Sequence, residues 1–180
     1  MAQENLTAFI ASVAANPLFM CFRGLPIGRE LPVNDAMLLF SCFEEDCFRK
    51  GDVLYTADST SERTVYIILQ GCVSVRDTSG NVFSTLRAGD IFGFFSFLDD
   101  RSHSVTVTAH EELTVLSLKR AYFDLITLED PVLGRQLYQF MFRRLSHMSL
   151  KLESEYAALR AYTRSLNVEH ADKNATQDRG

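Results

Sequence analysis

Residues 88–105, AGDIFGFFSFLDDRSHSV, hold the grouping with the residue types to bind an anion. Gly89 and Gly93 bracket Asp90, Ile91 and Phe92, and glycine lets backbone approach a ligand closely or take a positive φ. A short helix beginning near Gly93 would aim its free N–H groups at whatever stands in front, a setting that suits a phosphate. Arg101, His103 and Ser104 follow with a guanidinium, an imidazole and a hydroxyl. This is chemistry for binding, not turnover. No Ser/His/Asp or paired-carboxylate arrangement stands out, so no enzymatic activity and no catalytic residue is expected. His103, His110, His147 and His170 lack metal-ligand spacing, and Cys21, Cys42, Cys47 and Cys72 form no CxxC pair, so no metal is expected.

With 180 residues, 47% of them apolar, the chain can bury one well-formed domain plus an appendage. A net charge of −5 runs against a broad nucleic-acid surface, which needs a basic patch to displace counterions from phosphates. No apolar run is long enough for a membrane span. The start lacks a basic region followed by a long apolar core, so the expected setting is the cytoplasm, with reduced thiols.

Three regions must position the grouping. Residues 1–42 read as an N-terminal helical segment. In it Leu6, Phe9, Ile10 and Val13 make an amphipathic helix ended at Asn16-Pro17. Pro26 and Pro32 then punctuate a connector, with a short helix Asp35 to Phe40 capped by Asn34. Residues 43–119 change to short runs of Val, Ile, Phe, Tyr and Thr, parted by turn signals at Gly51, Gly71, Gly80, Gly89 and Glu111-Glu112. Strands at such spacing imply an antiparallel barrel or sandwich. Val65, Ile67 and Leu69 alternate with their neighbours, so one face is core and the other meets water, a helix or a ligand.

After Leu118 the period returns to 3.6. Residues 120–166 give a short helix with Tyr122, Phe123 and Ile126, then a long one from Pro131. Along the latter Tyr138, Met141, Leu145, Met148, Leu152, Leu159, Tyr162 and Leu166 recur at three- and four-residue steps, with Tyr156 one position off the seam. Such a stripe can pack on its own domain or pair with a second copy; its length favours a parallel homodimer through Met141, Leu145, Met148, Leu152, Tyr156 and Leu159. The polar tail 167–180 reads as disordered.

The order of Lys50-Gly51-Asp52, VYIILQGCVSV with Gly71, LRAGDIFG, SVTVTAHEELTVLSLKR and then Tyr122-Phe123 resembles the cyclic-nucleotide-binding domain family, in particular the sensor half of catabolite-activator-type bacterial regulators. The resemblance spans about Leu18 to Leu166. It implies an α+β, mainly β fold: an antiparallel jelly-roll barrel flanked by N-terminal helices and a long C-terminal dimer helix, with residues 89–105 as the phosphate cassette. In those regulators a winged helix-turn-helix follows; none is recognisable here, so direct DNA binding is not expected.

The family cassette reads F-G-E, then apolar residues, then arginine and a small or hydroxyl residue. Phe92 and Gly93 match. The ribose-binding glutamate falls at Phe94 and the phosphate-binding arginine at His103, while Ser104 keeps the hydroxyl. Phe95 and Phe97 match apolar positions that hold the short helix to the barrel. Candidate ligand contacts are therefore Gly93, Phe94, Phe95, Arg101, His103, Ser104 and, on the long helix, Ser149. Met148 takes the other hydroxyl-bearing position of that helix pair.

For Phe94 two readings stand: a ring that plugs the vacated ribose pocket, or one that stacks on a less polar ligand. The resemblance implies a homodimeric, non-enzymatic sensor with a diverged pocket that binds ordinary cyclic AMP weakly or not at all. A cyclic nucleotide is the one cofactor it suggests, and ligand entry would shift a hinge around Leu125 to Leu133. Two alternatives stay open: a ligand-free dimeric scaffold for an unidentified protein partner, and a true receptor for a cyclic nucleotide or cyclic di-GMP that uses Ser104 and backbone amides.

Overall fold

The computed structural model describes residues 8, 10–99 and 101–177. They divide into two compact units, Met1–Leu137 and Tyr138–Gly180, taken separately below.

Residues 10–14 are helical, and three short helices follow: α1 Pro17–Gly24, α2 Pro26–Arg29 and α3 Val33–Phe40. The prolines that read as connector punctuation mark helix starts, where a fixed φ and a missing N–H cost nothing. Asn16 ends one helix and begins the next, its side chain accepting from the Leu18 N–H at 2.8 Å. The expected cap at Asn34 is not used; α3 begins two residues earlier than expected, at Val33 after Pro32, with no side-chain cap.

Eight strands follow: β1 Glu44–Phe48, β2 Val53–Tyr55, β3 Thr64–Gln70, β4 Cys72–Arg76, β5 Val82–Arg87, β6 Ile91–Phe92, β7 Thr106–Ala109 and β8 Leu113–Lys119. They form two four-stranded antiparallel sheets, ordered β1-β8-β3-β6 and β2-β7-β4-β5. This is the jelly-roll order, but the strands pair within two separate sheets rather than closing into one barrel. Ile68, Val73, Val75, Val107 and Val115 meet in the core between them. Central strand β3 is covered on both faces: Ile68 lies in the inter-sheet core while Val65, Ile67 and Leu69, on the opposite face, are also buried. Helix α1 packs on β3, which accounts for the apolar face that alternation alone left open.

Helix α4 (Phe94–Leu98) follows β6, and α5 (Arg120–Glu129) packs against β8. The next helix, α6, runs from Pro131 to Gln177. Between α5 and α6, the Asp130 carboxylate accepts from the Val132 and Leu133 N–H groups, both at 3.0 Å, capping α6 within the expected hinge. Gly134 sits where a Cβ would press on Thr127, so the first turn of α6 approaches α5 closely.

In the second unit α6 continues past Leu166 as helix, where the sequence reads as a disordered tail. Residues 167–177 contain neither Gly nor Pro, and nothing in them stops a helix already begun. Within the stripe Met141 is buried and Leu145 half-buried, whereas Met148, Leu152, Tyr156, Leu159 and Tyr162 are exposed. Among the described residues no helix is long and apolar enough to cross a membrane.

Candidate functional site

The cassette begins where β6 pairs with β3, Phe92 opposite Tyr66. Gly93 then takes φ +86, and a Cβ there would collide with the Thr64 carbonyl of β3. Both the left-handed turn and the close approach require glycine. The chain enters α4, with the Phe97 N–H donating to the Gly93 carbonyl at 3.1 Å and the Ser96 hydroxyl to the same oxygen at 3.2 Å.

Helical phase decides which phenylalanines pack. Phe94 and Phe97, three apart, are 1% and 0% exposed, while Phe95 is 74% exposed. The packing role expected for Phe95 is thus corrected, because one turn of helix can bury only one side. Phe97 meets Phe123 of α5 edge to face at 5.4 Å, and the Arg120 guanidinium lies over both rings.

After α4, Arg101 is exposed and paired to Asp99 at 2.5 Å. Ser104 is exposed as well. His103 turns inward: its N–H donates to the Ser59 carbonyl at 3.3 Å, and its carbonyl accepts from the Asp58 N–H at 2.7 Å. These bonds tie the loop after β2 to the end of the cassette. The imidazole lies flat on Tyr55, centroids 3.8 Å apart and planes 9° from parallel. Tyr55 stands 6.3 Å from Phe92, which stacks on Tyr66 at 4.9 Å. His103, Tyr55, Phe92 and Tyr66 make a continuous aromatic row.

Beside that row lies a cavity of about 510 Å³. Its size is ordinary for a small-molecule site. Strand β1 contributes Glu44, Asp46 and Phe48, every second residue; β8 contributes Ser117 and Lys119; β3 contributes Thr64 and Tyr66. Register aligns Glu44 with Ser117 and Ser117 with Tyr66, so a polar row crosses the inner face of the first sheet. Glu62 adds a third carboxylate, 3.6 Å from the Lys119 ammonium.

Burial raises the Tyr55 hydroxyl well above its usual range, assisted by Tyr66. Burial also raises Tyr66; the Thr64 hydrogen bond opposes this, and the fields of Asp46 and Glu62 add to it. Desolvation lowers His103 below its ordinary 6.5, which keeps the imidazole neutral at pH 7.

Of the residues singled out from sequence, only His103 lines the cavity; Gly93, Phe94, Phe95, Arg101 and Ser104 do not. Ser149 is exposed on α6, in the second unit. Sequence reasoning missed Tyr55, Tyr66, Glu44 and Asp46. The signal was present in β1, where alternation puts Glu44 and Asp46 on the same face as Phe48, which packs on the core. Among the described residues no cluster of three His, Cys, Asp or Glu side chains is placed to hold a metal.

Residues 45–130 match the cyclic nucleotide-binding domain family. No curated protein matches the chain. Similar solved structures include the N-terminal domain of a transcriptional regulator from Streptomyces coelicolor A3(2), at 20% identity and TM-score 0.58, covering 71% of this chain and 94% of that one. A cyclic nucleotide-binding domain from Methylobacillus flagellatus KT aligns at 19% identity and TM-score 0.60, over 67% and 70% of the two chains. The Thermus thermophilus catabolite activator protein aligns at 23% and 0.54, over 71% and 62%. At these identities the structural likeness speaks to fold. Together with the family match, the jelly-roll order and the glycine-bounded cassette, it identifies residues 45–130 as a cyclic nucleotide-binding domain.

Proposed function

We propose that the chain is a non-enzymatic regulatory module, homodimeric through α6, whose pocket has diverged from ordinary cyclic AMP. One observation carries the reading. His103, at the position where family resemblance expects the phosphate-binding arginine, is a neutral imidazole stacked on Tyr55 beside a cavity that holds Glu44, Asp46 and Glu62. A phosphodiester would meet carboxylates there, and the lysine lining the cavity is already close to Glu62.

Phe94 adds to this. It is buried at the position of the ribose-binding carboxylate, which supports a ring that fills space rather than one that accepts a hydroxyl. A hydrogen bond to a charged group contributes about 1.5–3 kcal/mol, so losing both charged partners removes about 3–6 kcal/mol. Each 1.4 kcal/mol is about tenfold, enough to carry a micromolar site into the millimolar range.

The exposed part of the α6 stripe, Leu152, Tyr156 and Leu159, supports pairing with a second copy. Ligand-dependent movement at Asp130 would reorient that helix, a two-state change that a docked protein could read. Calorimetry with cyclic AMP, cyclic GMP and cyclic di-GMP tests the pocket: no saturable heat at millimolar ligand is expected, and micromolar binding of any of the three would refute its divergence.

A further inference from the structure

Inward-facing strand positions of a jelly roll are expected to be apolar, as they are around Ile68, Val73 and Val115. At the rim of the same interior the pattern breaks. Glu44 and Asp46 stand two apart on β1, about 7 Å at the usual strand rise, and both line the cavity. Ser117, between Glu44 and Tyr66 in the register, is 2% exposed and lines the cavity. The inner end, by contrast, is apolar and aromatic: Phe48, Leu54, Tyr55 and Tyr66 pack against the core there.

The charge balance selects the occupant. Three carboxylates face one ammonium, which is within 4 Å of Glu62, and the other basic residue on the wall, His103, is uncharged. An anion is repelled by this arrangement. A cation gains from the carboxylates and from tyrosine ring faces, which attract positive charge through their quadrupoles.

We infer that the cavity binds a small organic cation, an aromatic or heteroaromatic amine, with its ammonium between Glu44 and Asp46 and its ring against Tyr55 and Tyr66. This rests on the reading of the pocket as diverged from cyclic AMP, and it names the ligand class that replaces the phosphate. The proposed pose brings the ammonium near the Ser117 hydroxyl, which can accept from it.

The test is calorimetry on the full chain with three indole probes that differ in charge: tryptamine, tryptophol and indole-3-propionate. Saturable tryptamine binding is expected, at least about tenfold stronger than tryptophol, with indole-3-propionate silent. Asp46→Asn and Glu44→Gln should each weaken tryptamine about tenfold, with unchanged melting temperatures certifying their folds. Glu44 is exposed, so its variant keeps the test valid if Asp46→Asn disturbs folding. No saturable tryptamine binding, equal binding of the carboxylate probe, or full affinity in Glu44→Gln would overturn the inference. A parallel cyclic AMP titration separates the two levels: silence there with no tryptamine binding defeats only the amine site, whereas micromolar cyclic AMP binding defeats the diverged pocket itself.

Discussion

The imidazole of His103 lies parallel to the ring of Tyr55 at 3.8 Å, so the residue that family resemblance sets at the cassette's arginine position is engaged with protein aromatic surface. Desolvation depresses the folded-state pKa below 6.5, while an unfolded chain keeps the ordinary value. As pH falls through 6.5 the unfolded state takes the proton first. Stability that is full above that pH is therefore lost progressively until pH passes below the folded pKa. The melting temperature of the wild-type chain should fall between pH 7 and pH 5 by more than that of His103→Gln. Parallel curves for the two would refute the assignment.

Gly93 is bound to its conformation twice over, by φ +86 and by the Thr64 carbonyl where a Cβ would go. Gly93→Ala should destabilise the domain by about 1–3 kcal/mol or more, since left-handed strain and a backbone collision act together. Urea denaturation measures it; a variant within about 0.5 kcal/mol of wild type contradicts the cassette geometry.

Phe95 and Phe97 make a matched pair of opposite burial on one short helix. Phe97→Ala should cost about 3–5 kcal/mol by removing a fully buried ring packed on Phe123, whereas Phe95→Ala should cost no more than about 0.5 kcal/mol. Equal losses would mean that α4 is rotated from the phase described.

That pair also shows how far the sequence could be read. The strand order was legible because Gly51, Gly71, Gly80 and Gly89 each stand at a turn between β-rich runs, and the long helix because its apolar residues keep their period. Phe95 was misread because five consecutive residues with three phenylalanines carry too little periodicity to set a helical phase. Helices α1 and α2 hid behind Pro17 and Pro26, which signal a helix start as readily as a break. At the site, His103 could be found from its place in the cassette. Tyr55 and Tyr66 could not, because cross-strand register puts Tyr66 opposite Phe92 and the packing of one sheet on the other brings Tyr55 to it, neither of which a single strand encodes.

The α6 stripe gives a prediction independent of any ligand. Leu152 is 67% exposed, and with Leu145 it lies on the proposed seam. Sedimentation should report about twice the 20.3 kDa chain mass for the wild type and a single chain mass for Leu145→Asp with Leu152→Asp, since carboxylates at seam positions would be buried unpaired. A variant that stays dimeric would place the dimer contact elsewhere.

The central claim is that the fold of a cyclic nucleotide-binding domain is retained while the pocket no longer takes the usual nucleotide. Isothermal titration of the full chain with cyclic AMP tests it most directly. The account predicts no saturable heat up to millimolar ligand, because His103 is stacked and neutral and carboxylates line the cavity beside it. A saturable isotherm with micromolar affinity would contradict it.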